Sequence, residues 1–167
     1  MQSVDVEQSI ASMADRLKQL LTERHIDSPL MIGIHTGGVW VAKRLHQVMG
    51  LDEPLGTLDI SFYRDDFTRI GMHPEVKPSK LPMTVEDRHI ILVDDVLHTG
   101  RTIRAALNEI FDYGRPASVT LAVLVERGGR ELPIEASVVG QHVQLNSHQH
   151  IKLEGPEQLQ LVVQETE

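Results

Sequence analysis

Apolar residues recur along this chain with two different periods. Val6, Ile10, Met13, Leu17, Leu20 and Leu21 fall at helical spacing within Val4–Arg24, and Ser3 or Asp5 can cap the start. Leu30–Ile34 is a short unbroken apolar run, as in a core strand, and Val39–Met49, with Trp40 and Leu45, returns to helical spacing. Thr57–Tyr63 alternates, with Leu58, Ile60 and Phe62 on one face. Ile90–Val93 is apolar and rich in β-branched residues, the pattern of a strand buried on both faces. Thr102–Tyr113 carries Ile103, Ala106, Leu107 and Ile110 at helical spacing and ends at Gly114-Arg115-Pro116, a helix stop. Ser118–Val125 reads as another buried strand and Leu159–Val163 as a closing one. Strands alternating with helices in this order predict an α/β fold with a mainly parallel central sheet flanked by helices.

Two stretches break the alternation. Residues 64–85 hold Gly71, Pro74, Pro78 and Pro82 and few apolar side chains. A loop of that length beside the active edge of a sheet predicts a lid. Residues 126–150 carry Arg127, Arg130, Pro133, Gly140 and three histidines, without the helix the alternation calls for.

The length of 167 residues predicts one domain spanning the whole chain. No cysteine is present, which excludes disulfides and thiolate metal sites, and no apolar run reaches the length of a membrane span. Asp5 and Glu7 stand where a secretory signal would be apolar, so the expected compartment is the cytoplasm. The formal net charge of −8 argues against a surface generally attracted to nucleic acid.

The chemistry concentrates in Ile90–Arg104. The apolar run ends on adjacent carboxylates, Asp94 and Asp95, followed by the loop Val96–Arg101 and a helix opening at Thr102. Ligands bind at such carboxyl ends of strands in open α/β sheets. Thr99, Gly100, Arg101 and Thr102 gather hydroxyls, a guanidinium and backbone N–H groups at a helix N-terminus, which suits a phosphate monoester. Paired carboxylates suit hydroxyl donors instead. A ribose bearing a 5′-phosphate satisfies both halves. The competing readings are a strand end that merely caps a turn and a receiver-type acidic pocket, for which no matching phospho-acceptor Asp and late-strand Lys are found. Neither Gly-x-x-x-x-Gly-Lys-[Ser/Thr] nor Gly-x-Gly-x-x-Gly occurs. His35-Thr36-Gly37-Gly38 closes a second strand–loop–helix unit and makes a further backbone pocket for an anion; a plain tight turn is the alternative. His148-x-His150 places two imidazoles on one strand face without an evident third ligand, so an exposed polar strand is expected there.

The run Val93-Asp94-Asp95-Val96-Leu97-His98-Thr99-Gly100-Arg101-Thr102 resembles the phosphoribosyl-diphosphate (PRPP) signature of type I phosphoribosyltransferases. Tyr63-Arg64-Asp65-Asp66, Gly114-Arg115-Pro116 and the block from Leu124 through Glu126-Arg127-Gly128-Gly129-Arg130-Glu131-Leu132-Pro133-Ile134 narrow this to the PyrR family. Those proteins regulate pyrimidine operons and can act as uracil phosphoribosyltransferases. The resemblance runs over nearly the whole chain. It implies the type I phosphoribosyltransferase fold with a small hood, about 126–150, and a flexible loop, about 64–85. It implies conversion of uracil and PRPP to UMP and pyrophosphate, with Mg2+ carried on PRPP and no direct protein ligand to the metal. By the same resemblance Asp94 and Asp95 are catalytic and hold the ribose. Val96, Leu97, His98, Thr99, Gly100, Arg101 and Thr102 hold the 5′-phosphate. His35, Thr36, Gly37 and Gly38 receive pyrophosphate. Arg64, Arg69 and Lys77 reach it from the flexible loop, and Val138, Val139 and Gly140 meet the base through their backbone. A homodimer or homotetramer is implied, as is a pyrimidine-nucleotide-responsive regulatory role.

The chain departs from the family pattern in two regions. Family members commonly read Lys-Thr-Arg-Gly where this chain has His35-Thr36-Gly37-Gly38, so two cationic positions are lost or conditional on pH. Arg16, Arg24 and Arg130 are candidates to face RNA, but Asp15, Gln19, Gly129, Glu135 and Gln141 stand where hydroxyl or basic residues are usual. RNA affinity rests heavily on cationic contacts to phosphate, so weak or absent RNA binding is expected. The reading from a different class is a non-catalytic nucleotide sensor, acting on RNA or through a protein partner. A purine-type transferase is the near enzymatic alternative.

Overall fold

The computed structural model describes residues 5–60, 80–81 and 84–166. Helix α1 (Val6–Glu23) leads to β1 (Leu30–Ile34), α2 (Gly37–Met49) and the short β2 (Gly56–Leu58). Then come β3 (His89–Leu97), α3 (Arg101–Tyr113), β4 (Ser118–Arg127), β5 (Val138–Val143), β6 (Gln149–Glu154) and β7 (Gln160–Glu165). Asp5 is the N-cap of α1; its carboxylate accepts from the amides of Glu7 (3.0 Å) and Gln8 (3.3 Å).

Five strands form one parallel sheet in the order β2-β1-β3-β4-β5. β3 is central, and alternate residues of the apolar runs go to opposite faces. Met31, Ile91, Val93, Ala122 and Leu124 pack with α1 and α2 through Met13, Leu17, Val41 and Leu45. Leu30, Ile32, Ile90, Leu92, Leu121 and Val123 pack on the other face with Ile103, Ala106 and Ile110 of α3. Both faces are covered, as unbroken apolar strands require. β1 leads into a helix on one face and β3 into a helix on the other, so the chain diverges between these two neighbouring strands. That divergence is the switch point at which open α/β sheets bind ligands.

Four expectations change. Among the described residues, Thr57–Tyr63 is strand as far as Leu58; Asp59 and buried Ile60 follow outside it, and 61–63 lie outside the described residues. Val96 and Leu97 belong to β3 rather than to the loop, because they continue its pairing with Val125 and Glu126. The stretch 126–150 is not all hood. Val138–Val143 joins the central sheet as its edge strand, parallel to β4. The separate cover is the antiparallel hairpin β6–β7, and Leu159–Val163 falls largely in it instead of closing the main sheet. A ten-residue connection, 128–137, replaces a crossover helix between β4 and β5. Arg44 ties the hairpin to α2 by donating to the carbonyls of Pro156 (3.2 Å) and Glu157 (2.9 Å). Buried Arg127 ties it to β4 by donating to the Gln149 carbonyl (3.1 Å).

The two cores rank the costs of substitution. Leu17 is fully buried, so Leu17→Ala is expected to cost about 2–5 kcal/mol. Asp5→Ala removes a solvent-exposed cap and is expected to cost about 1 kcal/mol. Urea denaturation midpoints of the two variants check the ordering.

Candidate active site

The acid pair stands where β3 passes the end of its pairing with β1, while its pairing with β4 runs on to Leu97. Asp94 is only 5% exposed and level with Val123 on β4. Its Oδ1 accepts from the Asp95 amide at 2.8 Å, and Asp95 Oδ1 accepts from the Val96 amide at 2.9 Å. Each carboxylate is thereby fixed by the backbone of the next residue. Asp95, half-buried, turns toward the loop that follows β1.

That loop, 35–38, lies against the acid pair. The His35 amide donates to the Leu58 carbonyl at 2.8 Å, and the His35–Thr36 peptide is cis. A Cβ at Gly37 would lie 2.8 Å from Asp95 Cγ, and one at Gly38 would lie 3.0 Å from Asp94 Oδ1 and 2.8 Å from the Val93 carbonyl oxygen. Real side chains do not approach so closely. A side chain at 37 would have to displace the Asp95 carboxylate from this rotamer. Thr36 is exposed and caps α2 without a side-chain bond.

On the other side of the pair, β3 turns at His98-Thr99-Gly100 into α3. Gly100 has φ +94°, a left-handed conformation that disfavours a side chain, and serves as the N-cap. A polar pocket of about 160 Å3 opens here, lined by Val96, Leu97, His98, Thr99, Gly100 and Thr102. The first amides of a helix have no intrahelical acceptor and carry the positive end of its dipole, so the pocket favours an anion. The Arg101 guanidinium is not among its walls: it is exposed and paired with Glu131 at 2.8 Å. The Arg101 amide donates to Thr99 Oγ1 at 3.2 Å, so its side chain and its amide both hold partners within the chain.

Residues 126–134 pack behind this turn. The Thr99 carbonyl accepts from the amides of Glu131 (2.9 Å) and Leu132 (3.3 Å). Arg130 donates to the carbonyls of His98 (2.5 Å) and Arg127 (3.3 Å) and pairs with Glu126 one helical turn's spacing earlier. Glu126 also receives His142 Nδ1 at 3.0 Å. Partial burial, then the nearby Arg127, hold the His98 imidazole below its ordinary value of 6.5, against a smaller opposing pull from Glu131. His98 is therefore neutral at neutral pH and adds no charge to the pocket.

The remaining sequence-derived candidates are distributed as follows. Val138 and Val139 pair with Ala122 and Val123, and Val139 is level with Asp94 two strands away. They and Gly140 stand in the central sheet rather than in a separate cover. Arg16 donates to the Val139 carbonyl, blunting an edge strand, and Arg24 donates to Thr120 Oγ1 at 3.3 Å. All three arginines considered for RNA, Arg16, Arg24 and Arg130, hold partners within the chain. Arg64, Arg69 and Lys77 lie outside the described residues. His148 and His150 are both exposed. Sequence reasoning missed the roles of Glu126 and Glu131. The Glu126-x-x-x-Arg130 spacing was the one available signal, and it indicated a family, not a contact.

The hydrogen bond from Arg130, then that from His142, hold the Glu126 carboxyl below its usual 4.5. The folded form thus binds this proton less readily than the unfolded chain. The resulting stability is complete above about pH 4.5 and is lost as pH falls through the folded value. Glu126→Gln is expected to lower the urea midpoint at neutral pH, with the gap to wild type closing as the pH falls below the ordinary carboxyl value of 4.5.

The phosphoribosyl transferase domain model matches residues 5–157. The "Bifunctional protein PyrR" of Nitrosococcus oceani is 62% identical over 164 residues, covering 97% of this chain and 93% of that protein. Its counterpart in Pseudomonas paraeruginosa is 59% identical over 149 residues, covering 89% and 88%. Among solved structures, a Trypanosoma cruzi hypoxanthine phosphoribosyltransferase superposes with a TM-score of 0.66 at 20% identity, covering 86% of this chain and 76% of that one. A Staphylococcus aureus hypoxanthine phosphoribosyltransferase gives 0.66 at 18% identity, covering 89% and 79%. These distant neighbours show the same fold: a mainly parallel central sheet flanked by helices, of the type I phosphoribosyltransferase class. By family model and by close relatives along nearly its whole length, the chain belongs to the phosphoribosyl transferase domain family and, within it, to the PyrR proteins.

Proposed function

We propose that this protein is a PyrR-like uracil phosphoribosyltransferase, converting uracil and PRPP to UMP and pyrophosphate. The observation that carries the reading is the juxtaposition at the end of β3. A backbone-fixed acid pair stands between a phosphate-sized pocket at a helix N-terminus and a loop of two glycines pressed against the carboxylates.

In the reaction, the C1′–oxygen bond to pyrophosphate breaks, a bond from C1′ to the uracil nitrogen forms, and the proton on that nitrogen passes to solvent water. Positive charge grows on the ribose ring as pyrophosphate departs. The carboxylates of Asp94 and Asp95 orient the ribose hydroxyls and offset that charge, which is positioning and electrostatic stabilisation. Backbone amides and hydroxyls from Thr99 to Thr102 hold the 5′-phosphate. Backbone donors of Thr36, Gly37 and Gly38 receive the pyrophosphate in place of the side chains common in the family. Mg2+ carried on PRPP, without a direct protein ligand, would supply further neutralisation of the leaving group, while Asp94 and Asp95 would hold the ribose hydroxyls beside it. Val138–Gly140 are assigned to the base, and the regulatory half of the relatives' double function to a pyrimidine nucleotide held at this same site. The protein acts in the cytoplasm as a homodimer or homotetramer.

Purified protein given PRPP, Mg2+ and uracil is expected to form UMP. Asp95→Asn is expected to lose about 100-fold or more in kcat while keeping its urea midpoint close to wild type. A wild type silent with uracil and with purine bases, yet able to bind UMP, would replace the enzyme reading with that of a nucleotide sensor.

A further inference from the structure

We infer that Arg130 is a positioning residue for the phosphate pocket: it binds the backbone of the phosphate turn from behind so that the turn's amides face the anion. The inference rests on the assignment of that pocket to a 5′-phosphate and adds to it the element that sets its geometry.

A peptide turn that receives an anion faces a conflict. Each of its residues has a donor that attracts the anion and a carbonyl that repels it. The carbonyls must point away, and a buried or half-buried carbonyl needs a donor of its own. All three carbonyls of the turn are accounted for. His98 O accepts from Arg130 Nη1 at 2.5 Å. Thr99 O accepts from the amides of Glu131 at 2.9 Å and Leu132 at 3.3 Å. Gly100 O accepts from Arg104 within the helix at 2.9 Å. Two of the three are thus held by residues 130–132, from outside the turn.

Arg130 is itself held. Its Nη1 spans the His98 and Arg127 carbonyls and its Nη2 binds the Glu126 carboxylate, while Glu126 is braced by His142 on β5. Three quarters of the Arg130 side chain is out of solvent, since only 26% is exposed. Its Cδ and the Ile134 side chain also pack where a Cβ on Gly100 would stand, at 3.6 and 3.3 Å. A planar guanidinium can span two carbonyls and a carboxylate at once; an ammonium cannot reproduce that fork. These contacts turn Arg130 inward, away from the RNA-facing role that the family resemblance implies for it.

The test compares wild type with Arg130→Lys, Arg130→Gln, Glu126→Gln and the Glu126→Gln/Arg130→Gln pair. Steady-state kinetics vary PRPP and uracil separately, and calorimetry measures UMP and, as its phosphate-free counterpart, uridine. Arg130→Gln is expected to raise the KM for PRPP and the Kd for UMP about tenfold, with the KM for uracil within about twofold. Lysine is expected to restore only part of this. The double variant is expected to be no worse than Arg130→Gln alone, because both groups act through one contact. An unchanged PRPP KM and UMP affinity in Arg130→Gln would overturn the inference, and so would equal losses for UMP and uridine. If wild type binds UMP but turns over no base, the enzyme reading falls, while the UMP and uridine comparison decides the role of Arg130 on its own.

Discussion

A strand buried on both faces cannot carry a charge until it passes the end of its pairing with a neighbouring strand. β3 is that strand: Ile90 to Val93 are packed under α3 on one side and under α1 and α2 on the other. Asp94 and Asp95 come at the first place where a carboxylate can find polar company. The same constraint puts them at the switch point, because the strand beside them, β1, sends its helix to the opposite face. The position of the acid pair follows from the packing, and the loops on either side of it follow from the topology.

What surrounds the pair is made mostly of backbone. The loop after β1 can lie against Asp95 because positions 37 and 38 lack a Cβ. The turn after β3 can present amides because Gly100 takes a left-handed conformation and because residues 130–132 bind the carbonyls on its far side. An acidic chain, with a formal net charge of −8, can in this way favour an anion locally. Helix dipole and oriented amides act over a short range, where the net charge of the whole surface counts for little.

The parallel sheet, its central strand and the strand–turn–helix unit that carries Asp94–Thr102 were legible in the sequence. Unbroken β-branched runs, helical spacing and a glycine at a strand-to-helix turn are local signals, and a local signal is complete within a few residues. The place of Val138–Val143 was not legible. Its short run Val-Val-Gly-Gln-His-Val has no clear period and fits a cover as well as an edge strand, and only its pairing with β4 decides between them. The partners of Arg16 and Arg130 were equally hidden. A long cationic side chain reads the same whether it meets solvent, a nucleic acid or a carbonyl 123 residues away, as Arg16 does at Val139. The Glu126–Ile134 block identified the family without showing why its residues matter; the contacts to His98 and Thr99 supply that reason.

We propose that the acid pair and the turn at Gly100 together form a ribose 5-phosphate site. The most direct test is a backbone-amide NMR titration of the isotope-labelled protein with UMP. Saturable shifts are expected to concentrate at Asp95, Val96 and Thr99 through Thr102, with uridine moving the Thr99–Thr102 amides far less. Shifts gathered elsewhere in the chain, or equal responses of the Thr99–Thr102 amides to UMP and uridine, would contradict it.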